Sequence, residues 1–318
     1  MKISFLCILP LCAELPYGCY LCPPEQDVQC PWFTGSLLAP HGYVVEVGSV
    51  ELEPFFSLNV ERGAYDRHWQ AHSQPHFYNY NLFIPMWVGL WHRWDCLITS
   101  SLSWNYTQGQ AHWAVNDMQL FINYQLVYEE SCTWHPAVKL VAGAVLPIGK
   151  YQHLDLQKKQ TDLGGEGNWS PNVGIVFRKM IQFGKTHFYI PRFYLNYAFS
   201  TPVHVAGFNA YGGEKQTNGI VYPGNLLQII FGGEVTLNQN WVVAYDIEYN
   251  HKNRSRFHGK TPSRSAVGGP SSEQLSIAPA IEYNWSPSMG AIAGIWFSLV
   301  GRNSAQFTNG LIAVDMTF

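Results

Sequence analysis

Charge is scarce in this chain of 318 residues: Lys and Arg number 19, Asp and Glu 22, and together they make 13% of the total. An ordinary soluble domain carries about 25%. Nothing in the −3 balance makes the chain basic, which excludes a nucleic acid as partner. Long apolar runs are scarce too. Past the N-terminal segment the longest spans 82–91, far short of the ~20 residues of a membrane helix, so a helical membrane protein is excluded. No helical period of 3.6 residues competes anywhere beyond that segment. Catalytic signatures are missing: there is no His-Glu-x-x-His, no Gly-x-Ser-x-Gly and no His-x-Ser pair. Residues 143–150 fail as a phosphate loop, because the glycine spacing is one residue too long and no Ser or Thr follows Lys150. The expectation is a protein that is not an enzyme and needs no cofactor and no metal. Aromatics, by contrast, make 15% of the chain, a load that a disordered protein lacks.

The first residues have the pattern of an export signal, with Lys2 ahead of an apolar run over 3–13. Gly18-Cys19 admits a lipidated cysteine instead, against which Pro16 and Tyr17 count. The cysteines are Cys7, Cys12, Cys19, Cys22, Cys30, Cys96 and Cys132. Cys19-x-x-Cys22 lies in no βαβ pattern and has no second pair to complete a zinc site, so a disulfide in an oxidising compartment, within or between chains, is the expectation.

From about residue 50 the chain alternates apolar and polar residues. Trp241, Val243, Tyr245, Ile247 and Tyr249 alternate with Val242, Ala244, Asp246, Glu248 and Asn250. Such a run is a strand with one face in an apolar medium. Twelve runs are predicted, at 50–60, 76–89, 94–105, 116–129, 137–147, 169–179, 187–200, 226–238, 240–250, 274–285, 290–300 and 309–318. Their length suits a tilted membrane-crossing strand of ~9–11 residues. Short connections at 90–93, 130–136, 180–186, 238–240 and 286–289 alternate with longer ones. The longer ones fall at 61–75, 106–115, 148–168, 201–225, 251–273 and 301–308.

This is the plan of an outer-membrane barrel: an all-β, closed antiparallel transmembrane β-barrel of about 12 strands, with short periplasmic turns and longer extracellular loops. The domain expectation is a signal peptide over 1–22, a periplasmic N-terminal arm over 23–47 and an outer-membrane barrel over 48–318. Trp87, Trp91, Trp94, Trp134, Trp241 and Trp285 lie near the short turns, where an aromatic girdle belongs. Phe318 closes an alternating last run and resembles the assembly signal of Gram-negative barrels. The expected partners are therefore outer-membrane lipid, the barrel-assembly machinery and a small-molecule solute.

The polar phase is predicted to line the lumen. Its acidic members are Glu51, Glu53, Asp95, Asp117, Glu129, Glu234, Asp246, Glu248, Glu282 and Asp315, against Lys139, Arg178 and Arg192. That excess favours a cation-preferring channel. Inward Phe55, Trp87, Phe121, Tyr194 and Trp296 leave open a filled barrel instead. The dense basic run at 251–264 is expected on an external loop, either solvated or bound to lipid phosphates or an anionic polymer. His68, His72 and His76, near Asp66, would align as zinc ligands only on a helix, which Pro75 opposes.

Residues 138–146 lead into Pro147-Ile148-Gly149-Lys150-Tyr151, and Gly165-Glu166-Gly167-Asn168-Trp169 opens the next run. This strand–loop–strand, with Gly48-Ser49-Val50-Glu51-Leu52-Glu53, resembles the family named for the meta-cleavage pathway of phenol degradation. The resemblance implies a monomeric outer-membrane barrel for passive uptake of small compounds, hydrophobic ones included, with no catalytic residues. The segment from Trp32 to Pro40 would then be positioned to plug the lumen from the periplasmic side. The alternative is a closed surface or structural barrel whose loops bind a partner and whose cysteines cross-link the envelope.

Overall fold

The computed structural model describes residues 31–129, 134–183, 187–262 and 265–318. The export segment and every cysteine except Cys96 lie outside the described residues. Twelve strands form the wall. They are β1 Phe55–Tyr65, β2 Ala71–Trp91, β3 Trp94–Thr107, β4 Met118–Val127, β5 Ala137–Leu146 and β6 Ser170–Arg178. The second half comprises β7 His187–Ala198, β8 Leu226–Thr236, β9 Trp241–Lys252, β10 Ser272–Ser286, β11 Met289–Arg302 and β12 Ser304–Thr317. Each pairs antiparallel with its neighbour in sequence, and β12 returns to β1 through Ile312 opposite Phe56.

Closure leaves no edge, the condition for a sheet in lipid. The two faces differ as the medium demands. Phe56, Ile281, Ile295 and Ile312 stand exposed on the outside, while Asp95, Gln125, Glu234, Asp246 and Glu282 are buried on the inside. A closed barrel with an apolar outer band and a polar interior is an outer-membrane protein.

The first strand differs from its predicted span of 50–60. Val50–Leu52 pairs with Met86–Val88 and with Met316 and Thr317, then the chain breaks at Glu53-Pro54 and β1 runs on to Tyr65. Pro54 has no N–H to offer the ladder. Three of the predicted long loops are short turns on tall hairpins: 66–70 joins β1 to β2, Gln108-Gly109 turns at the top of β3, and Asn303 alone joins β11 to β12. Above the lipid both faces of a strand are wet, so the alternation fades while the ladder continues. The same extension makes His72 and His76 part of β2, and no helix aligns the three imidazoles. His68 takes a hydrogen bond from Arg67, His72 pairs with Asp66, and His76 meets Tyr78.

At the short-turn end Trp91, Trp134, Trp241 and Trp285 are exposed, Trp134 to 87%. Trp87 does not belong to this girdle. It is 7% exposed and stacks inside the barrel on His41, ring centroids 5.0 Å apart. A second set, Tyr106, Trp113 and Trp169, is exposed toward the opposite rim.

The three long connections at that rim interlock. Val203–Ala206, Asn218–Tyr222 and Arg256–Lys260 form a separate three-stranded antiparallel sheet. Val203, Val205 and Val221 on one face of it pack with Tyr151, Tyr211, Phe257 and Val267. The 147–169 connection runs across the mouth. Asp117 accepts backbone N–H groups from Gly149 (2.9 Å) and Glu166 (3.0 Å), and Asn105 donates to the Thr161 carbonyl at 3.0 Å. On the far side of the mouth Lys252 pairs with Glu166.

Candidate functional site: a lumen occupied by the chain's own arm

Residues 31–47 form no strand and enter the barrel from the short-turn end, where the Trp32 N–H donates to the Gln239 carbonyl. Their backbone N–H groups cannot be left unpaired in a buried place, and the wall supplies acceptors. Thr34 donates to Glu282 Oε2 at 3.0 Å and Leu38 to Asp246 Oδ2 at 3.1 Å. Further along, Val44 donates to Gln125 Oε1 at 3.1 Å and Val45 to Asp95 Oδ2 at 2.8 Å. Glu282 and Asp246 sit on β10 and β9, Gln125 and Asp95 on β4 and β3. Those strand pairs face each other across a twelve-stranded ring, so the arm spans the lumen from wall to wall.

Side chains fix the crossing. Tyr43 donates to Glu129 Oε2 at 2.9 Å, and its ring lies 4.6 Å from the Arg178 guanidinium. Lys139 Nζ donates to the Tyr43 carbonyl at 3.1 Å. His41 Nδ1 meets Glu51 Oε1 at 2.9 Å, with Glu53 3.8 Å from its other nitrogen. Arg192 pairs with Glu234 at 2.5 Å, and Arg178 and Lys179 with Glu129 at 3.2 and 3.1 Å. At Gly42 the arm approaches the wall so closely that a Cβ would lie 2.5 Å from the Arg178 side chain. Gly35 turns with φ of +116°, a conformation open to glycine.

Apolar packing completes the fit. Leu37 packs with Phe55, Ala244, Ala278, Ile292, Leu311 and Ala313. Ala39 packs with Val141, Val176, Tyr194 and Ile230, flanked by Phe121. Ala244, Ala278 and Ala313 are small inward residues, and their size leaves the space that the arm fills.

Among the residues predicted to line the lumen, Glu51, Glu53, Asp95, Lys139, Arg178, Arg192, Glu234, Asp246, Glu248, Glu282 and Asp315 are buried. Glu129 is half-buried at the short-turn end and Asp117 half-buried at the opposite rim. Burial raises the Asp117 carboxyl, against the backbone N–H groups that it accepts. Glu53 Oε1, Asp246 Oδ1, Glu282 Oε1 and Asp315 Oδ1 are buried with no hydrogen-bond partner among the described residues. Selection by charge misses the neutral members of the same strand phase, Gln125, Asn123, Asn196 and Asn284, and it misses His41 in the arm. The parity of each strand is the signal that finds the first group. Nothing in the sequence finds His41.

On the outside, a shallow groove of about 600 Å³ crosses β10, β11, β12 and β1. Pro279 and Gly294 line it, and the β10–β11 ladder skips from Ile277–Phe297 to Ala280–Gly294 there. A Cβ on Gly294 would meet Leu37 of the arm at 2.4 Å, so a single glycine separates groove from arm.

No protein-family model matches the sequence, and no curated protein matches it. Solved structures show the fold. The chain is similar to an outer membrane channel from Pseudomonas putida F1, at 11% identity and a TM-score of 0.68, over 88% of this chain and all of that one. It also matches the transport unit of the autotransporter AIDA-I from Escherichia coli, at 11% identity and a TM-score of 0.49, over 85% of this chain and 90% of that one.

Proposed function

We propose that this barrel is a channel for passive uptake of small molecules across the outer membrane, closed by its own arm over residues 32–47. The observation that carries this reading is the arm's mode of attachment. It is bound to opposite walls through its backbone, by carboxyl and amide side chains that a continuous strand would not need. Such contacts are reversible, because water and wall exchange the same hydrogen bonds. The unpartnered carboxyl oxygens favour a hydrated path beside the arm.

Eight buried acidic residues against three buried basic ones in the wall favour cations over anions. The Gly294 groove favours hydrophobic solutes instead, in keeping with the phenol-pathway resemblance. Phe318, 71% exposed on the last strand, is the residue that we assign to recognition by the assembly machinery.

Planar-bilayer recording tests the reading. The full chain is expected to stay closed with brief openings, and a variant lacking residues 31–47 to conduct steadily with cation selectivity. A deletion variant that inserts and never conducts would overturn it and favour the closed surface barrel.

A further inference from the structure

The basic run of the sequence becomes a shaped surface in the structure. In the three-stranded sheet His204 lies opposite Ile220, Ile220 opposite His258, and Tyr222 opposite Arg256. These side chains and Lys260 are all exposed on one face, and the imidazole of His258 lies 5.3 Å from the Tyr222 ring. The other face packs on the loops across the barrel mouth through Val205, Val221 and Phe257. The exposed face therefore turns away from the barrel axis.

Its cations differ from those that brace the mouth. Lys150, Lys252 and Arg302 each pair with a carboxylate, Asp162, Glu166 and Glu273. Arg254, Arg256 and Lys260 make no ion pair and no side-chain hydrogen bond among the described residues. Glu214, on the adjoining loop, forms no ion pair with Lys260. Arg256, His258 and Lys260 alternate on one strand, which spaces successive side chains of that face by about 7 Å and the Arg256 and Lys260 charges by about 13 Å.

The position of the ladder selects its partner. Strand β9 carries Trp241, Val243, Tyr245, Ile247 and Tyr249 on its lipid face, then reaches His251 and Lys252, and the basic strand begins four residues later. The cations thus rise from the point where the apolar band ends, the level of the outer-leaflet headgroups. Tyr222 supplies an aromatic ring of the kind that prefers that interface. We propose that this face binds the phosphorylated headgroups of outer-leaflet glycolipid, with Arg254, Arg256 and Lys260 as phosphate contacts and Tyr222 against the sugar. A sugar phosphate offers the multiple acceptor oxygens that guanidinium and ammonium groups bind.

The test titrates the full-length protein in detergent with lipid A carrying its phosphates, with lipid A stripped of them, and with heparin as a soluble anionic polymer. Phosphorylated lipid A is expected to bind at least about tenfold tighter than the stripped form, and Arg254→Gln/Arg256→Gln/Lys260→Gln to abolish that difference. Arg67→Gln/Lys159→Gln, neutralised elsewhere on the rim, is expected to keep it. Heat-modifiable gel mobility confirms that each variant is a closed barrel, and the single substitution Arg256→Gln replaces the triple variant if that one fails to assemble. Equal binding by wild type and variant overturns the proposal. Heparin bound as tightly as phosphorylated lipid A overturns it too, and makes the face a polymer-binding surface.

Discussion

Removing the two ends of the arm's attachment gives the most informative perturbation of the gate. Glu282 holds the Thr34 N–H on one wall and Asp95 holds the Val45 N–H on the other, at 3.0 and 2.8 Å. A buried N–H left without its acceptor costs about 1–3 kcal/mol, so Glu282→Ala/Asp95→Ala removes roughly 2–6 kcal/mol of attachment. Part of that is returned, because two carboxyl groups no longer have to be buried. A net loss of about 2–3 kcal/mol raises the withdrawn population by roughly 30- to 150-fold. Single-channel recording reads this as open probability. Glu248→Gln is the matched control. Glu248 is buried like the other two but bonds to Gln228 and Ser276 on the wall, with no hydrogen bond to the arm among the described residues. The double variant should open and the control should stay closed. An unchanged open probability in the double variant, with the barrel intact on a heat-shift gel, would refute the account of the arm as a gate. Equal opening in both would show that lumen charge, and not attachment, sets closure.

Gly42→Val should release the arm as well, since its Cβ meets Arg178 at 2.5 Å and overpacking costs about 1–3 kcal/mol, read as faster hydrogen exchange at Val44 and Val45. Leu37→Ala should weaken arm docking by about 2–5 kcal/mol and increase solute flux, and an unaltered flux would remove Leu37 from the gate. Asp117→Ala removes the acceptors of two backbone N–H groups in the connection across the mouth, so limited proteolysis within 147–169 should accelerate while the barrel bands stay intact on a gel. The Asp66 carboxyl is held down to about 2, first by its hydrogen bond to His72 and then by backbone N–H groups of Gln70 and His68. Because the folded value lies below the unfolded one, this turn is supported above pH ~3.9 and loses that support as pH falls through about 2. Carboxyl chemical-shift titration should show the low midpoint in the wild type and a higher one in His72→Ala, still below ~3.9 because the Gln70 and His68 N–H groups remain.

The lipid-facing wall was legible in the sequence because lipid imposes a strict rule on it. A strand between lipid and lumen must alternate, and β9 does so from Trp241 to Tyr249 and β10 from Leu275 to Trp285. Where that rule lapses, sequence reasoning lapses with it. The tops of β1, β2, β11 and β12 stand in water on both sides, so predicted loops proved to be hairpins. Trp87 carries two sequence signals, a place beside a short turn that suits the girdle and a strand phase that points inward, and the structure decides for the lumen, where it stacks on His41.

The amino-acid sequence by itself determined that twelve one-sided strands exist and that their polar faces are mainly acidic, because both follow from a period of two residues and a local choice of side chain. The tertiary structure alone decided that residues 31–49 cross the lumen, that Asp95 and Glu282 meet them on opposite walls, and that Arg256, His258 and Lys260 share an outward face. The arm has no periodicity to betray its place. The N–H groups of Thr34, Leu38, Val44 and Val45 bond to side chains between 50 and 248 positions away, and such pairings exist only once the barrel has closed around the arm.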